Sequence, residues 1–334
     1  MTQTPADTQT SRLAGVGRVA AAGLIWGTIP LIIRFADGAP AVTVFFRMFF
    51  GGLVVAAWMA GSGRLGELKG LGTRKLIQVG IQGLILTLNW FLFLTALDLT
   101  NVATAELLAY CGPVFVAALA PAVTGERFDA RIIGPLALAL GGIVVILAPQ
   151  GLAVAEPSEL LGAGMAFASA LTYAALLLRS KKILRGISSG ALMVIEYTVA
   201  SVVLAPFVVS AWRSGDMPSS PGAYAALVTL GVVHTGLTGA LFLGGLRRVR
   251  TDRVAILMYL EPASAVVFAA LFLGEALTVT TVLGGAMVIG GGLFVARLEE
   301  QVEAVPLEAA GTEEEDEPAS GNEPLDPEHT EETS

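Results

Sequence analysis

Ionisable side chains inside long apolar stretches are the residues of this sequence best placed to do chemistry. They are Arg47, Glu106, Glu196, His234 and Glu261. A charge at the centre of a bilayer costs about 2.5–3.5 kcal/mol even on lenient insertion scales, so each group needs a partner or a water-filled cavity. Such groups either carry a proton or substrate role or brace neighbouring helices.

The distance of each group from the nearer end of its stretch, at 1.5 Å per residue, sets its expected depth. Arg47 and Glu106 fall roughly 10 Å and 7 Å below the same face, so we predict an ion pair that acts as a brace or as a gate. Asn89 is expected at a comparable level. Glu261 and His234 fall near the middle and are the pair of greatest interest for coupling or binding.

Glu261 and His234 also have purely structural interpretations. Glu261 precedes a proline, so its carboxyl group can cap or bridge backbone groups that the proline frees. His234 can be a hydrogen-bonded packing residue, and no second His or Cys lies near it in sequence to favour a metal site. No metal and no cofactor are predicted.

Two tyrosines, Tyr110 and Tyr259, each lie three residues before a proline, hence nearly on the same helical face. The hydroxyl of a buried tyrosine needs a partner, so we expect either close packing at a bent helix or two hydroxyls that line a central cavity. Trp26 and Trp90 are expected in packing, with stacking on a ligand as the alternative.

These residues are positioned by apolar stretches of about 20 residues, the length that crosses a ~30 Å hydrocarbon core as a helix. Hydrophobic residues make up 54% of the 334 residues and charged residues 14%, whereas soluble domains carry about 25% charged residues. The composition predicts an all-α integral membrane protein in a lipid bilayer. Ten spans are predicted, at about 15–35, 40–60, 75–97, 101–122, 130–148, 159–179, 190–211, 222–245, 253–273 and 278–297.

Charge is divided unevenly along the chain. From Leu298 onward there are 14 acidic residues and no lysine or arginine. Residues 1–14 and 298–334 are predicted to be a disordered leader and a disordered acidic tail, since neither can bury a core.

The body has no basic face interleaved with aromatics, which excludes nucleic-acid binding. A single cysteine, Cys111, excludes an internal disulfide framework and a Cys-based zinc cluster.

The distribution of lysine and arginine predicts the orientation. With the N-terminus in the cytoplasm, 17 of the 20 basic residues fall on the cytoplasmic side, and the opposite orientation reverses this bias. Both termini are therefore predicted to be cytoplasmic. The composition, rich in alanine, glycine and valine, is associated with bacteria of GC-rich genome, so the expected location is the bacterial cytoplasmic (inner) membrane.

Sliding the sequence against itself by 149 residues indicates an internal repeat. Between residues 97–142 and 246–291, 10 of 46 positions are identical, where this composition gives roughly four by chance. The identities concentrate on Tyr-x-x-Pro and Gly-Glu. The two repeats are predicted to span residues 15–148 and 149–297.

Each repeat holds five spans, and because five is odd the second copy is predicted to be inverted in the membrane. Inverted five-span repeats are a known construction of alternating-access transporters, with the substrate near the midplane. The shift also aligns Glu196 with Arg47. This places the two groups on opposite sides of the midplane and argues against direct pairing.

The motifs of both repeats carry a family resemblance. They are Leu257-Met-Tyr-Leu-Glu-Pro262 with Gly274-Glu275 and Gly284-Gly285 in the second repeat, Leu107-Leu-Ala-Tyr-Cys-Gly-Pro113 with Gly125-Glu126 in the first, and Trp26-Gly27 and His234-Thr235. Over residues 15–297 the chain resembles EamA-type members of the drug/metabolite transporter superfamily. The resemblance implies ten helices and secondary transport, commonly export, of small metabolites such as amino acids, without ATP. One departure is Tyr173, which stands where the first repeat has Trp26.

The leading hypothesis is a secondary transporter for a small-molecule solute, with rocking halves around a site on spans 3, 4, 8 and 9. Protons are a candidate coupling ion and a homodimer is a candidate assembly. The alternatives are an uptake permease of the same fold and a non-transporting receptor or scaffold that acts through the acidic tail. An intramembrane enzyme is disfavoured, because His-Glu-x-x-His and Gly-x-Gly-Asp are absent from the sequence.

Overall fold

A computed structural model describes residues 5–151, 156–274 and 278–301, and every regular element in these ranges is helical. Ten of the helical segments are long and apolar enough to cross a membrane, which confirms the predicted fold class. The spans, numbered 1 to 10, are Ser11–Ile33, Pro40–Gly61, Thr73–Leu99, Val102–Thr124, Ala130–Leu147, Pro157–Ile183, Ser189–Ser214, Pro221–Leu246, Thr251–Leu273 and Val279–Leu298.

The helix ends follow local sequence signals. Spans 2, 6 and 8 begin at a proline in the first helical turn, where its missing N–H is no loss. The side chains of Asn101 and Ser188 accept a backbone N–H and cap spans 4 and 7. Spans 4 and 9 end at Gly125 and Gly274 with φ of 75° and 70°, a left-handed conformation that favours glycine. The glycine of the repeated Gly-Glu motif is therefore a helix stop, and Glu275 lies outside the described residues.

The first helix begins at Pro5 and runs to Trp26. The predicted disorder of residues 1–14 is therefore wrong for residues 5–14, where the polar leader continues the helix of span 1. Residues 1–4 and 302–334 lie outside the described residues, and residues 302–334 are the greater part of the predicted acidic tail. Span 10 belongs to a helix that extends to Gln301.

Spans 4, 8 and 9 each depart from a continuous α-helix near the middle of the bundle. Span 4 is divided into Val102–Ala109 (half-helix 4a) and Gly112–Thr124 (half-helix 4b), and span 9 into Thr251–Leu257 (9a) and Leu260–Leu273 (9b). Both breaks fall at the tyrosine of a Tyr-x-x-Pro motif, because the following proline lacks an N–H. Span 8 contains a π-helix, Leu230–Leu237, between two α-helices.

The remaining helices complete the chain. Span 1 breaks after Trp26 and resumes at Ile29–Ile33. Short helices flank the spans at Gly66–Lys69 and Ala148–Gln150, and span 5 begins with the short helix Ala130–Ile132. One end of the bundle carries the linkers 62–72, 125–129, 184–188 and 247–250, which are rich in arginine and lysine, and is called the basic end.

The packing of the spans has a two-fold pattern under the predicted repeat. Spans 3 and 6 pack together, and so do their counterparts, spans 8 and 1. Spans 2 and 8 pack together, as do spans 7 and 3, and spans 5 and 10 pack extensively against each other. This pattern supports the repeat that the sequence predicts.

Glycines at the contact between spans 5 and 10 show the same two-fold relation between the repeats. A Cβ added at Gly142 of span 5 would lie 2.5 Å from the carbonyl oxygen of Gly284 in span 10. A Cβ at Gly291, the repeat counterpart of Gly142, would lie 2.8 Å from the carbonyl oxygen of Pro135. Pro135 and Gly284 are themselves 149 residues apart. These contacts allow the backbones of spans 5 and 10 to approach closely.

Candidate solute-binding cavity

A cavity of about 320 Å³ lies among the broken spans and is lined by residues of spans 1 to 4 and 6 to 9. The sequence predicted a site on spans 3, 4, 8 and 9, and the structure adds spans 1, 2, 6 and 7 to its walls. Seven of the eight predicted site residues line it: Arg47, Asn89, Trp90, Tyr110, His234, Tyr259 and Glu261. Glu106, on half-helix 4a, does not line this cavity.

Arg47 is buried and faces spans 3 and 8. Its guanidinium carbon lies 4.7 Å from the ring centroid of Trp90, within the range of a cation–π interaction. Its Nε donates to the Thr235 hydroxyl at 3.4 Å. Among the described residues no ion pair joins it to Glu106. The predicted pair is therefore absent, and Arg47 contacts Trp90 and Thr235 instead.

The two groups predicted near the middle share the cavity without bonding to each other. His234 Nε2 lies 2.8 Å from the hydroxyl of Thr28, and His234 Nδ1 lies 3.4 Å from the carbonyl oxygen of Thr229. Within the described part of the chain no hydrogen bond reaches the carboxylate of Glu261 from a protein group, although the carboxylate lies in the cavity wall. A carboxylate in this position can accept a proton or a cationic group from the cavity.

Tyr110 and Tyr259 meet across the two repeats. The hydroxyl of Tyr259 donates to the carbonyl oxygen of Tyr110 at 2.7 Å, and the rings lie 6.4 Å apart at 62°. Helix 4a ends at this residue, so the carbonyl of Tyr110 is available for the contact. Both tyrosines therefore border the cavity and pack at a helix break.

Span 3 is fixed against span 6 by side-chain amides. Asn89 Nδ2 donates to the carbonyl oxygen of Ser169 at 2.8 Å and to the hydroxyl of Thr172 at 2.9 Å. Gln82 Nε2 donates to the hydroxyl of Ser180 at 2.8 Å, and Gln82 Oε1 accepts from Arg179 Nε at 3.1 Å. The amide nitrogen of Asn89 is thus engaged in holding the wall of the cavity.

Several cavity residues were not selected from the sequence as site residues. Glu196 lines the cavity, and within the described residues it makes no ion pair with Arg47, as the depth argument expected. Tyr173 and Tyr197 add two more hydroxyls to the wall, and Tyr197 donates to the carbonyl oxygen of Thr235 at 3.3 Å. The repeat shift that links Glu196 to Arg47 was the signal that could have identified Glu196.

The π-helix of span 8 was also not predicted from the sequence. The hydroxyl of Thr235 donates to the carbonyl oxygen of Leu230 at 2.9 Å, and that of Thr238 to Val233 at 2.8 Å, both five residues back. The indole N–H of Trp26 donates to the carbonyl oxygen of His234 at 2.6 Å. These side chains satisfy carbonyls of a wider helix, a form that is common at functional sites.

Known proteins match nearly the whole membrane domain, one repeat at a time. The model of the EamA-like transporter family matches residues 13–148 and again residues 160–297. The chain belongs to the EamA-like transporter family. The two separate matches correspond to the two predicted repeats.

Relatives of this EamA-like transporter cover it from end to end of the bundle. An "uncharacterized transporter" of Archaeoglobus fulgidus is 28% identical over 286 residues, which is 85% of this chain and 96% of the relative. "Uncharacterized transporter YxxF" of Bacillus subtilis is 25% identical over 294 residues, 87% of this chain and 92% of the relative. A solved crystal structure matches with a TM-score of 0.74 at 21% identity, over 88% of this chain and 99% of the other, which shows the fold alone.

A polar network closes the basic end of the EamA-like transporter beneath the cavity. Glu126, which follows span 4, accepts from the backbone N–H of Thr251 at 3.0 Å and from its hydroxyl at 2.9 Å. Lys181 of span 6 lies 3.8 Å from the Glu126 carboxylate. Glu126 therefore joins the linker after span 4 to the start of span 9, which belongs to the other predicted repeat.

Asp129 forms the second part of this network. It receives a hydrogen bond from Arg131 Nε at 3.0 Å and lies 3.5 Å from Arg253 Nη2. Burial raises the pKa of Asp129, but the hydrogen bonds from Arg131 and the charge of Arg253 outweigh it, so the pKa lies below its ordinary value. The carboxylate is therefore charged at neutral pH and holds the start of span 9.

The two ends of the bundle differ in how tightly the half-helices pack. All seven residues of 9a are buried, whereas three of the eight residues of its counterpart 4a are buried. Half-helices 9a and 4b pack against each other at the basic end, and in the described residues no comparable contact joins 4a to 9b. The cavity is thus closed more firmly toward the basic end than toward the opposite end.

Proposed function

We propose that the protein is a secondary transporter that exports a small zwitterionic metabolite, such as an amino acid, across the bacterial inner membrane. The observation that carries this proposal is the cavity itself, which places one arginine and two carboxylates within an aromatic wall at the breaks of spans 4 and 9. A volume of about 320 Å³ is near the lower end of the range for small-molecule pockets. Transport fits this site better than intramembrane catalysis does.

The chemistry of the wall suits a solute that carries both charges. Arg47 presents a guanidinium that can bind a carboxylate through two parallel hydrogen bonds. Glu261 and Glu196 can each accept an ammonium group, and Trp90 and Tyr173 offer faces for an apolar or cationic part of the solute. Such a solute would compensate charges that are otherwise costly inside a membrane.

Alternating access is supported by the repeat and by the difference between the two ends. In the proposed orientation the basic end and both termini are cytoplasmic, so this conformation is closed to the cytoplasm. Rocking of the inverted halves would separate 9a from 4b and bring 4a to 9b. The Glu126–Thr251 contact is the proposed cytoplasmic gate.

The first experiment measures extracellular metabolites of cells that express the wild type, Arg47→Gln, Glu261→Gln, Glu106→Gln or an empty vector. Glu106→Gln is the matched control, because it removes an intramembrane carboxylate that does not line the cavity. We expect one solute class to accumulate outside with the wild type and with Glu106→Gln only.

The other outcomes are equally informative. Depletion of a solute from the medium by the wild type would replace export with uptake. If all profiles match the empty vector, including those of proteins shown to be inserted and folded, the transport of cellular metabolites is refuted and a role through the acidic tail takes its place. Transport that Arg47→Gln and Glu261→Gln leave intact would remove the cavity residues from the proposal.

A further inference from the structure

A second cavity, of about 480 Å³, lies at the basic end and differs in character from the central one. Seven of its twelve lining residues are arginine or lysine and two are acidic. It is formed by the linker between spans 4 and 5, the linker between spans 8 and 9, and residues of spans 1, 5, 6 and 9. The cavity thus lies over the contacts that close this end. No step of the proposed transport cycle uses its excess of positive charge.

The carboxylates within this cavity are already occupied by the protein. Glu126 binds Thr251 and lies near Lys181, and Asp129 binds Arg131 and Arg253. Arg250 pairs with Asp252 at 2.7 Å. The cationic groups that remain therefore project a positive potential from a concave surface, which attracts polyanions.

Three lining arginines lack a carboxylate neighbour in the described part of the chain. No acidic oxygen among those residues lies within 4.0 Å of Arg12, Arg127 or Arg248. Arg127 and Arg248 are exposed and Arg12 is half-buried. Their charges are available to a ligand that approaches from the basic end.

The chain supplies a polyanion of its own at the same end. Span 10 runs toward the basic end in a helix that reaches Gln301, and it packs against spans 5 and 9, both of which contribute to the basic cavity. Residues 302–334 follow, without a single lysine or arginine, and include the run Glu313-Glu-Glu-Asp-Glu317. Eleven residues lie between Gln301 and Glu313, so the chain can reach about 40 Å when extended.

We propose that the basic cavity is a binding site for the acidic C-terminal segment of the same chain, centred on residues 313–317. The charges are complementary, and the tether converts binding into an intramolecular event with a high effective concentration. The bound segment bridges the 4–5 linker and the 8–9 linker, which belong to different repeats. Its occupancy therefore favours the conformation in which 4b and 9a are packed together.

The test places a photo-cross-linker in the cavity of the full-length protein. Phe128 lines the cavity and is 58% exposed, so p-benzoylphenylalanine at this position should leave the fold intact. The protein is reconstituted in phosphatidylcholine vesicles at an average of less than one copy per vesicle, irradiated and mapped by mass spectrometry. A probe at Leu65, on the same end but outside the cavity, is the matched control.

We expect cross-links from position 128 to the peptide that contains residues 313–317, and none of comparable yield from position 65. Replacement of the five acidic residues by Gln or Asn should reduce the yield about tenfold, since each surface ion pair contributes a fraction of a kcal/mol. Arg127→Gln with Arg248→Gln should reduce it as well, whereas Lys69→Gln with Arg74→Gln on the same end should not. Raising the salt from about 0.1 to 1 M should also lower the yield, because the Debye length shrinks from about 10 to 3 Å.

Three results would overturn the proposal. One is the absence of tail cross-links from position 128 in protein whose thermal unfolding is normal. Another is a yield that the neutralised tail leaves unchanged. The third is a probe that captures phospholipid instead of the tail when phosphatidylglycerol is included, which would make the cavity an anionic-lipid site. None of these readouts requires transport, so they stand apart from the test of the central cavity.

Discussion

The replacement Glu126→Gln tests whether the basic end is a gate. The Glu126 carboxylate joins the end of span 4 to the start of span 9 through the backbone and the hydroxyl of Thr251. It is also the group that compensates the nearby Lys181 ammonium at 3.8 Å. If the contact exists only while this end is closed, weakening it should favour the state in which the cavity opens toward the basic end.

The size of the shift follows from the bonds. A hydrogen bond to a charged group is worth about 1.5–3 kcal/mol. The amide of Gln retains one carbonyl oxygen as an acceptor, so the replacement should remove about one such bond rather than the whole contact. A loss of about 1.5–3 kcal/mol raises the ratio of open to closed states about 10- to 100-fold.

Thiol accessibility measures this ratio. Ser180 lines the cavity near the basic end of span 6 and is buried, so Ser180→Cys in a Cys111→Ser background reports whether that side is open. In inside-out vesicles a membrane-impermeant thiol reagent should label the cysteine about 10 to 100 times faster after Glu126→Gln. Labelling from the other face should slow or stay unchanged.

Glu67→Gln is the matched control. Glu67 also lies at the basic end and joins two linkers, since it accepts from Ser188 and from Arg64 Nε. The Ser188 hydrogen bond and Arg64 lower the pKa of Glu67, so this position likewise carries a charge at neutral pH. An unchanged labelling rate for Glu126→Gln, or an equal rise for Glu67→Gln, would refute the gate.

Further predictions concern the site, its coupling, the packing and the pH dependence of stability. Arg47→Lys keeps the charge but loses the planar fork that binds a carboxylate in two places, so we expect the transport KM to rise about tenfold with little change in protein level. If Glu261 carries the coupling proton, Glu261→Gln should flatten the pH dependence of flux in vesicles, and wild-type flux at every pH would refute that role. Gly142→Ala should lower the free energy of unfolding by about 1–3 kcal/mol, because its Cβ would lie 2.5 Å from a backbone oxygen of span 10. Gly134→Ala should leave the stability unchanged, since a Cβ there meets nothing within 4 Å. Thermal unfolding in detergent compares the two variants. The pKa of Asp129 is lowered, so its contribution to folding stability is fully present above the ordinary carboxyl pKa of about 4 and is lost as the pH falls through the lowered value. The acid-induced drop in unfolding temperature should therefore be smaller in Asp129→Asn than in the wild type. An equal drop would contradict the assignment.

Features that depend on position along the membrane normal could be predicted from the sequence. The lengths of the apolar stretches give ten spans, and the Tyr-x-x-Pro motifs give the breaks in spans 4 and 9. The same depth reasoning brings His234 and Glu261 to one level, where the structure has a cavity. Spacing in the sequence measures depth well because each helical residue rises by a fixed distance.

Features that depend on the direction of a side chain around its helix could not be predicted in the same way. Arg47 and Glu106 were predicted at similar depths, yet Arg47 contacts Trp90 and Thr235 while Glu106 does not line the cavity. The π-helix of span 8 changes the angular step between residues, so a period of 3.6 assigns the wrong face after Leu230. A break in span 4 has a similar effect on residues to either side of Tyr110.

The relation between the two tyrosines indicates what the second conformation of the proposed alternating-access cycle would require. Under two-fold symmetry a bond from Tyr259 to the carbonyl of Tyr110 would be matched by one from Tyr110 to the carbonyl of Tyr259, and among the described residues only the first is formed. The bond that forms accompanies close packing of 4b on 9a at the basic end. Exchange of the two repeats would break this bond, form its reciprocal and pack 4a on 9b instead. Because the same sequence motif supplies both arrangements, the free-energy difference between them is set by groups that the repeats do not share, which at the basic end are Lys181, Asp129 and Arg253.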